Sequence, residues 1–259
     1  MTKKHDIIWV ESVDSTNNEC KRRIDDMDNL SVVSAMTQTD GRGQRGNSWA
    51  SSPGENLTFS ILMKFPTGTQ KGDLEPMHAY DQFALSAIAS LSVVELLSVH
   101  GIRAQIKWPN DIYVGDRKIC GILIENTLRG EWISSSVIGI GLNINQRNFD
   151  VTLPNPTSMA LCEPDSEHPY DTRTLLKDFM DIFDTYIERY CHIRGGYGKL
   201  RHLYHAQLWR KDIPTEFMDQ NSCKFTGTIR GVTDKGCLLV ETPEGITREF
   251  SFKEIGYII

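Results

Sequence analysis

The sequence has no Cys-x-x-Cys pair, no apolar leader, no uninterrupted apolar run of membrane-spanning length and no excess of positive charge, and each absence argues against a class of function. Its six cysteines, Cys20, Cys120, Cys162, Cys191, Cys223 and Cys237, fall without redox or metal-ligand spacing, and a chain of 259 residues needs no disulfide staples. Reduced thiols in the cytoplasm are the simplest expectation. Met1-Thr2-Lys3-Lys4-His5-Asp6 runs straight into Ile7-Ile8-Trp9-Val10 without a secretory core, and no later stretch of about 18 apolar residues is apparent. Neither secretion nor membrane insertion is expected. With 28 basic against 34 acidic residues the formal net charge is −6, which repels a phosphate backbone and argues against nucleic acid as a general partner. His202 and His205 stand at i, i+3, but no further ligand is suitably spaced. A solvated or partner-facing surface is expected there rather than zinc.

What is present is concentrated in Thr39-Asp40-Gly41-Arg42-Gly43-Gln44-Arg45-Gly46-Asn47-Ser48-Trp49, where three glycines, two guanidiniums and an indole share eleven residues. Glycines with positive φ could bring N–H groups to an anion, the arginines would neutralise it, and the indole offers a flat face for a base. The segment also fits G-x-G-x-x-G, but a dinucleotide-binding fold needs a helix from the third glycine. Here Gly46 is followed by Asn47-Ser48-Trp49, a turn-rich stretch over 51–56 and a strand-like run over 57–63. A phosphate-wrapping loop and an ordinary mobile surface loop both remain open on this segment alone.

Hydrophobic residues make up 39 % of the chain, enough for a large domain and a small one. Strands are expected over 7–11 and 32–36, with a polar helix over 16–26 between them. Thr16-Asn17-Asn18-Glu19 reads as a capping box in which Ser15 and Thr16 start that helix, and the same exposed donors suit a ligand carbonyl. Residues 80–100 carry Phe83, Ala84, Ala87, Ile88, Leu91 and Val94 as the broad apolar stripe of a core helix. A strand over 104–108 ends at Pro109, and Gly115-Asp116 is a two-residue hairpin turn between 112–114 and 117–125. The next strand, 135–145, holds two glycines, a mark of close approach. Amphipathic helices are expected over 174–193 and 197–209, with a loop between Cys162 and Tyr170. From residue 213, strands over 223–232, 237–241 and 246–252 alternate with turns as in a small β-barrel.

The cluster Lys107-Trp108-Pro109-Asn110-Asp111, with Lys118 seven residues after Asp111 and Gly121 three further, is specific. Together with the Arg-Gly loop, Ser15-Thr16-Asn17 and Gly139-Ile140-Gly141-Leu142-Asn143-Ile144-Asn145, it resembles the biotin protein ligases over about residues 9–145, in the right order. The resemblance implies an α+β fold: a mixed β-sheet flanked by helices, of the class II synthetase or biotin-lipoate ligase kind, over 1–212, and a small SH3-like barrel over 213–259. With no room before Trp9 for a helix-turn-helix, the monofunctional type is expected, without a DNA partner. The implied activity joins the biotin carboxylate to the α-phosphate of ATP, with Mg2+ on the triphosphate. Biotinyl-5′-AMP then passes biotin to a lysine of a biotin carboxyl carrier domain.

By the same resemblance Ser15, Thr16, Asn17 and Gln38 serve the ureido head, while Gly41, Arg42, Gly43 and Gln44 cover the anhydride. Arg42 and Lys118 carry the catalysis, Gly121 and Gly139 admit the biotin ring, and Trp49 stacks adenine. Arg45 serves the nucleotide, Asn110, Asp111 and Asn143 serve the nucleotide or its metal, and no residue is assigned as a dedicated metal ligand. Each cation, at about 4 Å and an effective dielectric near 20, offers about 4 kcal/mol to an anion before desolvation. Lys118 and Gly121 have opposite strand parity, so both can face one pocket only across a bulge or sharp twist. Gln44 and Asn47 stand where many members of the family carry arginine, which lightens the charge over the phosphate. A lipoate-type ligase, a catalytically silent biotin-binding module and a plain nucleotide-binding protein are the competing readings.

Overall fold

The computed structural model describes residues 5–67, 74–163, 168–191 and 197–258. Strand β1 (Ile7–Val13) runs parallel to β2 (Val32–Gln38), and α1 (Thr16–Arg22) makes the crossover between them. The chain continues through β3 (Leu57–Lys64), the short β4 (Met77–His78), α2 (Phe83–Val99), β5 (Gln105–Lys107), β6 (Asp111–Val114), β7 (Arg117–Arg129) and β8 (Trp132–Leu142). These strands form one mixed sheet in the order β1-β2-β3-β8-β7-β6-β5, with β4 added beside β8. Helices α3 (Met159–Cys162), α4 (Thr172–Tyr190) and α5 (Tyr197–Ala206) follow. The last stretch, β9 (Pro214–Asp219), β10 (Lys224–Val232), β11 (Leu238–Glu241), β12 (Thr247–Phe250) and β13 (Ile255–Tyr257), is a separate antiparallel sheet ordered β12-β11-β10-β9-β13.

Alternation along the strands assigns the two faces of the main sheet. Val32, Ile61, Met63 and Ile138 point into the large core with α2 and α4, where Phe59 meets Phe179 edge-on at 5.1 Å. Their neighbours Val33, Leu62 and Val137 point the other way and pack with Cys20 of α1. Buried on both faces, β3 reads as an unbroken apolar and hydroxyl run rather than an alternating one. Ser60, Gly139 and Gly141 share the α1 face, and that parity decides where the functional cavity lies.

Three expectations are corrected. The apolar stripe on α2 is in fact nearly all round, with buried residues on every side, and an 18-residue window within Ala79–Val99 has a mean hydropathy of 1.7. It therefore passes the length and composition test for a membrane span, yet 67 % of the window is buried inside the molecule, as befits a core helix. Each fully buried Leu or Ile there contributes about 1.5–3 kcal/mol. Helix α5 stops at Ala206, short of 209, because residues 207–209 turn to pair with β5: the Ile106 N–H donates to the Gln207 carbonyl at 2.7 Å and the Trp209 N–H to the Ile106 carbonyl at 2.8 Å. The capping box does not form; Ser15 makes no side-chain cap bond, Thr16 is engaged elsewhere, and α1 ends at Arg22, where its buried residues have run out.

The two sheets are joined by aromatic and polar contacts. Trp108 Nε1 donates to the Gly236 carbonyl at 2.8 Å, and the Trp209 ring meets Tyr257 at 5.4 Å. His205 is not solvated: its Nε2 lies 2.9 Å from both the N–H and the carbonyl of Val232, and a Cβ on Gly231 would overlap the imidazole. His202 is exposed, and among the described residues no group of three His, Cys, Asp or Glu is placed to hold a metal. All six cysteines are free, and burial pushes the Cys20 and Cys191 thiols up to about 12, which leaves both inert at neutral pH.

Candidate active site

A cavity of 320 Å³ opens on the α1 face, roofed by residues 42–49 and walled by β6, β7 and β8. It brings together Ser15, Thr16, Asn17, Gln38, Arg42, Gly43, Gln44, Trp49, Asn110, Asp111, Lys118, Gly121 and Gly139 from the sequence-derived set. Gly41 and Asn143 are not in its lining. The Arg45 side chain lies outside the described residues.

One end is a buried polar cluster. Gln38 Oε1 accepts from both the Thr16 N–H at 2.8 Å and the Thr16 hydroxyl at 3.1 Å. Ser60 Oγ lies 2.7 Å from Thr16 Oγ1 and 2.6 Å from Asn17 Oδ1. Asn17 Nδ2 donates onward to Glu125 Oε2 at 2.9 Å. Gly139 belongs here for a reason the sequence did not supply: a Cβ would overlap Asn17 Oδ1, so the glycine makes room for a protein side chain. Ser60 was not singled out from sequence, because only its parity in a central strand marks it.

Beside this end, Glu125 ties α1 to the loop through Lys21 at 2.7 Å and Arg42 at 3.2 Å, and Arg42 also donates to Asn18 Oδ1 at 3.0 Å. Burial pushes the Glu125 carboxyl up, but hydrogen bonds from Lys21 and Asn17 and the two cationic charges outweigh it and hold it below the usual carboxylate range.

The loop is a small hairpin rather than a nest of free amides. The Trp49 N–H donates to the Gly41 carbonyl at 2.8 Å and the Gly43 N–H to the Asn47 carbonyl at 2.7 Å, while Arg42 bridges Ser48. Of its three glycines only Gly46 takes a positive φ, +81°. Gly41 is required instead by crowding, since a Cβ there would overlap the Trp49 carbonyl. Anion recognition by this loop thus falls more to Arg42 than to those two amides.

The middle of the cavity depends on a bulge. Ile112 pairs with Cys120 but Tyr113 pairs with Lys118, so Ile119 is the extra residue and Lys118 turns onto the same face as Gly121. Segment 155–157 holds the bulge, with the Lys118 N–H donating to the Asn155 carbonyl at 2.8 Å and the Thr157 N–H to the Lys118 carbonyl at 2.9 Å. Lys118 Nζ reaches Asp111 Oδ1 at 2.7 Å and stands 5.7 Å from the Trp49 ring. That indole lies on a glycine floor: a Cβ on Gly141 would overlap it, and one on Gly121 would come within 3.0 Å. Asn110 uses Nδ2 to donate to the Ile122 carbonyl at 2.5 Å, which pins the Lys118 strand to the turn containing the cis Trp108–Pro109 bond. Asn143 is buried, and its Nδ2 donates to the Thr157 carbonyl at 2.9 Å, so its observed contact is with the segment that supports the bulge.

The far end comes from residues not picked out as site residues from sequence: Lys107 on β5 and Phe252, Ile255, Gly256 and Tyr257 of the second sheet. Lys107 belongs to the 107–111 cluster but carried no role there, and the signal for the other four is weak, because they join the cavity only through docking of two units more than 140 residues apart in the chain.

The fold is shared with solved structures. The biotin protein ligase of Aquifex aeolicus in complex with biotin and ATP superposes with a TM-score of 0.76 at 23 % identity, over 97 % of each chain. The chain belongs to the biotin/lipoate A/B protein ligase family, whose pattern matches residues 9–143. It is 26 % identical over 238 residues to the biotin–[acetyl-CoA-carboxylase] ligase of Paracoccus denitrificans, covering 90 % of this chain and 92 % of that one. It is 28 % identical over 222 residues to the bifunctional ligase/repressor BirA of Bacillus spizizenii, covering 85 % of this chain and 64 % of the relative.

Proposed function

We propose that this chain is an ATP-dependent biotin protein ligase that activates biotin as biotinyl-5′-AMP and transfers it to a lysine of a biotin carboxyl carrier domain. The observation that carries the proposal is the bulge at Ile119, which sets the Lys118 ammonium above the glycine floor at the middle of a cavity whose one end is buried and polar. A carboxylate and a triphosphate repel each other, and Lys118 and Arg42 are the cations that offset the repulsion where the new bond forms. Both are held by carboxylates in the resting site and can exchange those partners for phosphate oxygens. Mg2+ enters as part of the nucleotide substrate. The adenylate is a mixed anhydride prone to hydrolysis, and the roof of residues 42–49 shields it. Six free thiols fit a reducing cytoplasm.

The same cluster favours biotin over lipoate. A ureido ring offers two donors and a carbonyl to Thr16, Asn17, Gln38 and Ser60, whereas a dithiolane would leave those buried polar groups without a ligand partner. A silent module is disfavoured because a neutral ureido ring needs neither Arg42 nor Lys118. The test is to incubate the protein with MgATP and either biotin or lipoate and to identify the acyl-adenylate by mass. Biotinyl-5′-AMP as the dominant product supports the reading; lipoyl-AMP alone, or no adenylate, overturns it.

A further inference from the structure

Lys107 differs from the other cations of the cavity. Lys118 has Asp111 at 2.7 Å, and Arg42 has Asn18 at 3.0 Å and Glu125 at 3.2 Å. Lys107 Nζ stands 4.0 Å from Asp111 Oδ2, 5.0 Å from the centre of the Tyr113 ring and 4.8 Å from that of Tyr257. Among the described residues it meets aromatic faces and a distant carboxylate but no hydrogen-bond acceptor, although its side chain is only 15 % exposed. Such an arrangement keeps an ammonium in place while leaving its three donors unused. Burial draws the Lys107 pKa down, opposed by the Asp111 charge and aided by that of Lys118, so the desolvation has not been compensated within the protein.

Its place across the sheet says which anion it meets. From the polar end outward, where Ser60 of β3 backs Thr16 and Asn17, the cavity crosses Gly139 on β8, Gly121 and Lys118 on β7, Asp111 on β6 and Lys107 on β5. At roughly 4.8 Å per strand, Lys107 lies about 10 Å beyond the strand of Lys118, on the side away from the ureido cluster. An acid whose head is held at β3 and β8 presents its carboxylate near β7, and the remaining length suits the end of a triphosphate.

Resting on the ligase reading above, we infer that Lys107 binds the pyrophosphate end of the nucleotide, with Tyr113 and Tyr257 as the walls that hold its ammonium in place. In the step it serves, a biotin carboxylate oxygen forms a bond to the α-phosphorus, the bond from that phosphorus to the β-bridging oxygen breaks, and its electron pair leaves with pyrophosphate. Negative charge grows on the leaving group, and an ammonium with unused donors stabilises it without giving up a proton. Tyr257 makes the second sheet part of that subsite.

The test separates the half-reactions in the full-length protein. Lys107→Met keeps the bulk between the rings and removes the charge; Lys107→Arg keeps the charge. In biotin-dependent exchange of labelled pyrophosphate into ATP, Lys107→Met should raise the KM for pyrophosphate about 10- to 100-fold, and Lys107→Arg should recover at least part of that rise. Transfer from supplied biotinyl-5′-AMP, which carries no pyrophosphate, should change by less than about threefold. A pyrophosphate KM within twofold of wild type in both variants would overturn the assignment. So would equal losses in exchange and transfer in a Lys107→Met protein that melts at the wild-type temperature, which is the outcome expected if Lys107 only supports the fold. Failure of the ligase reading looks different, because the wild type itself would then show no biotin-dependent exchange.

Discussion

At the residue scale the glycines are the sharpest reporters, since each tells which group approaches the sheet. Gly141→Ala would drive a methyl group into the Trp49 indole and displace it from beside Lys118. Overpacking of this kind costs about 1–3 kcal/mol, and the KM for ATP should rise by about tenfold, read from steady-state exchange, while the KM for biotin changes less. Gly139→Ala should do the reverse, because its methyl group would displace Asn17 from Ser60 and so disturb the polar end. Gln44 and Asn47 both line the cavity where the family often carries arginine. Gln44→Arg should therefore lengthen retention of biotinyl-5′-AMP, measured as slower biotinylation of free lysines in a mixture lacking any carrier domain. The clash of parity between Lys118 and Gly121 was legible in the sequence, because it needs only counting along one strand. Ser60 was not, because its partners Thr16 and Asn17 lie more than forty residues earlier; Lys107 stood in the 107–111 cluster without a role, because its contact with Tyr257 joins segments 150 residues apart.

At the scale of elements, the hairpin of residues 42–49 and the bulge at Ile119 do the positioning. The loop offers little apolar area to offset its ordering entropy, and Arg42 ties it across to Glu125 and Asn18. Biotin with a non-hydrolysable ATP analogue should raise amide-exchange protection over residues 39–52, with the smallest gains at Gly43 and Trp49, whose N–H groups are already bonded in the hairpin. Equal protection with and without ligands would mean the roof is preformed and does not close. Element existence was largely readable from periodicity, but ends were not: α5 yields residues 207–209 to β5, and α2 is buried on all sides because α4 and α5 cover what a two-layer reading leaves to solvent. Strands β9 and β13 escaped notice because their pairing joins residues nearly forty positions apart, and β13 is only three residues long.

At the scale of the whole molecule, the second sheet completes the cavity and is fastened by Trp108, His205, Trp209 and Tyr257. Burial draws the His205 pKa down, partly offset by a hydrogen bond to the Val232 carbonyl, so the folded state favours the neutral ring. A histidine depressed in the folded state contributes its stability above its unfolded pKa of about 6.5 and loses it as pH falls through that value, since the unfolded chain then binds the proton more readily. The fall in Tm between pH 7.5 and pH 5.5 should accordingly be shallower in His205→Gln than in wild type, measured by differential scanning calorimetry at constant ionic strength. The central claim is that Lys118 and its bulge serve acid activation by ATP. It is tested most directly by exchange of labelled pyrophosphate into ATP with biotin as the sole acid, in wild type and in Lys118→Ala. Biotin-dependent exchange in wild type, falling about 10²- to 10³-fold in the variant with a smaller change in ATP binding, is expected; exchange that ignores biotin, or a variant as fast as wild type, would contradict it.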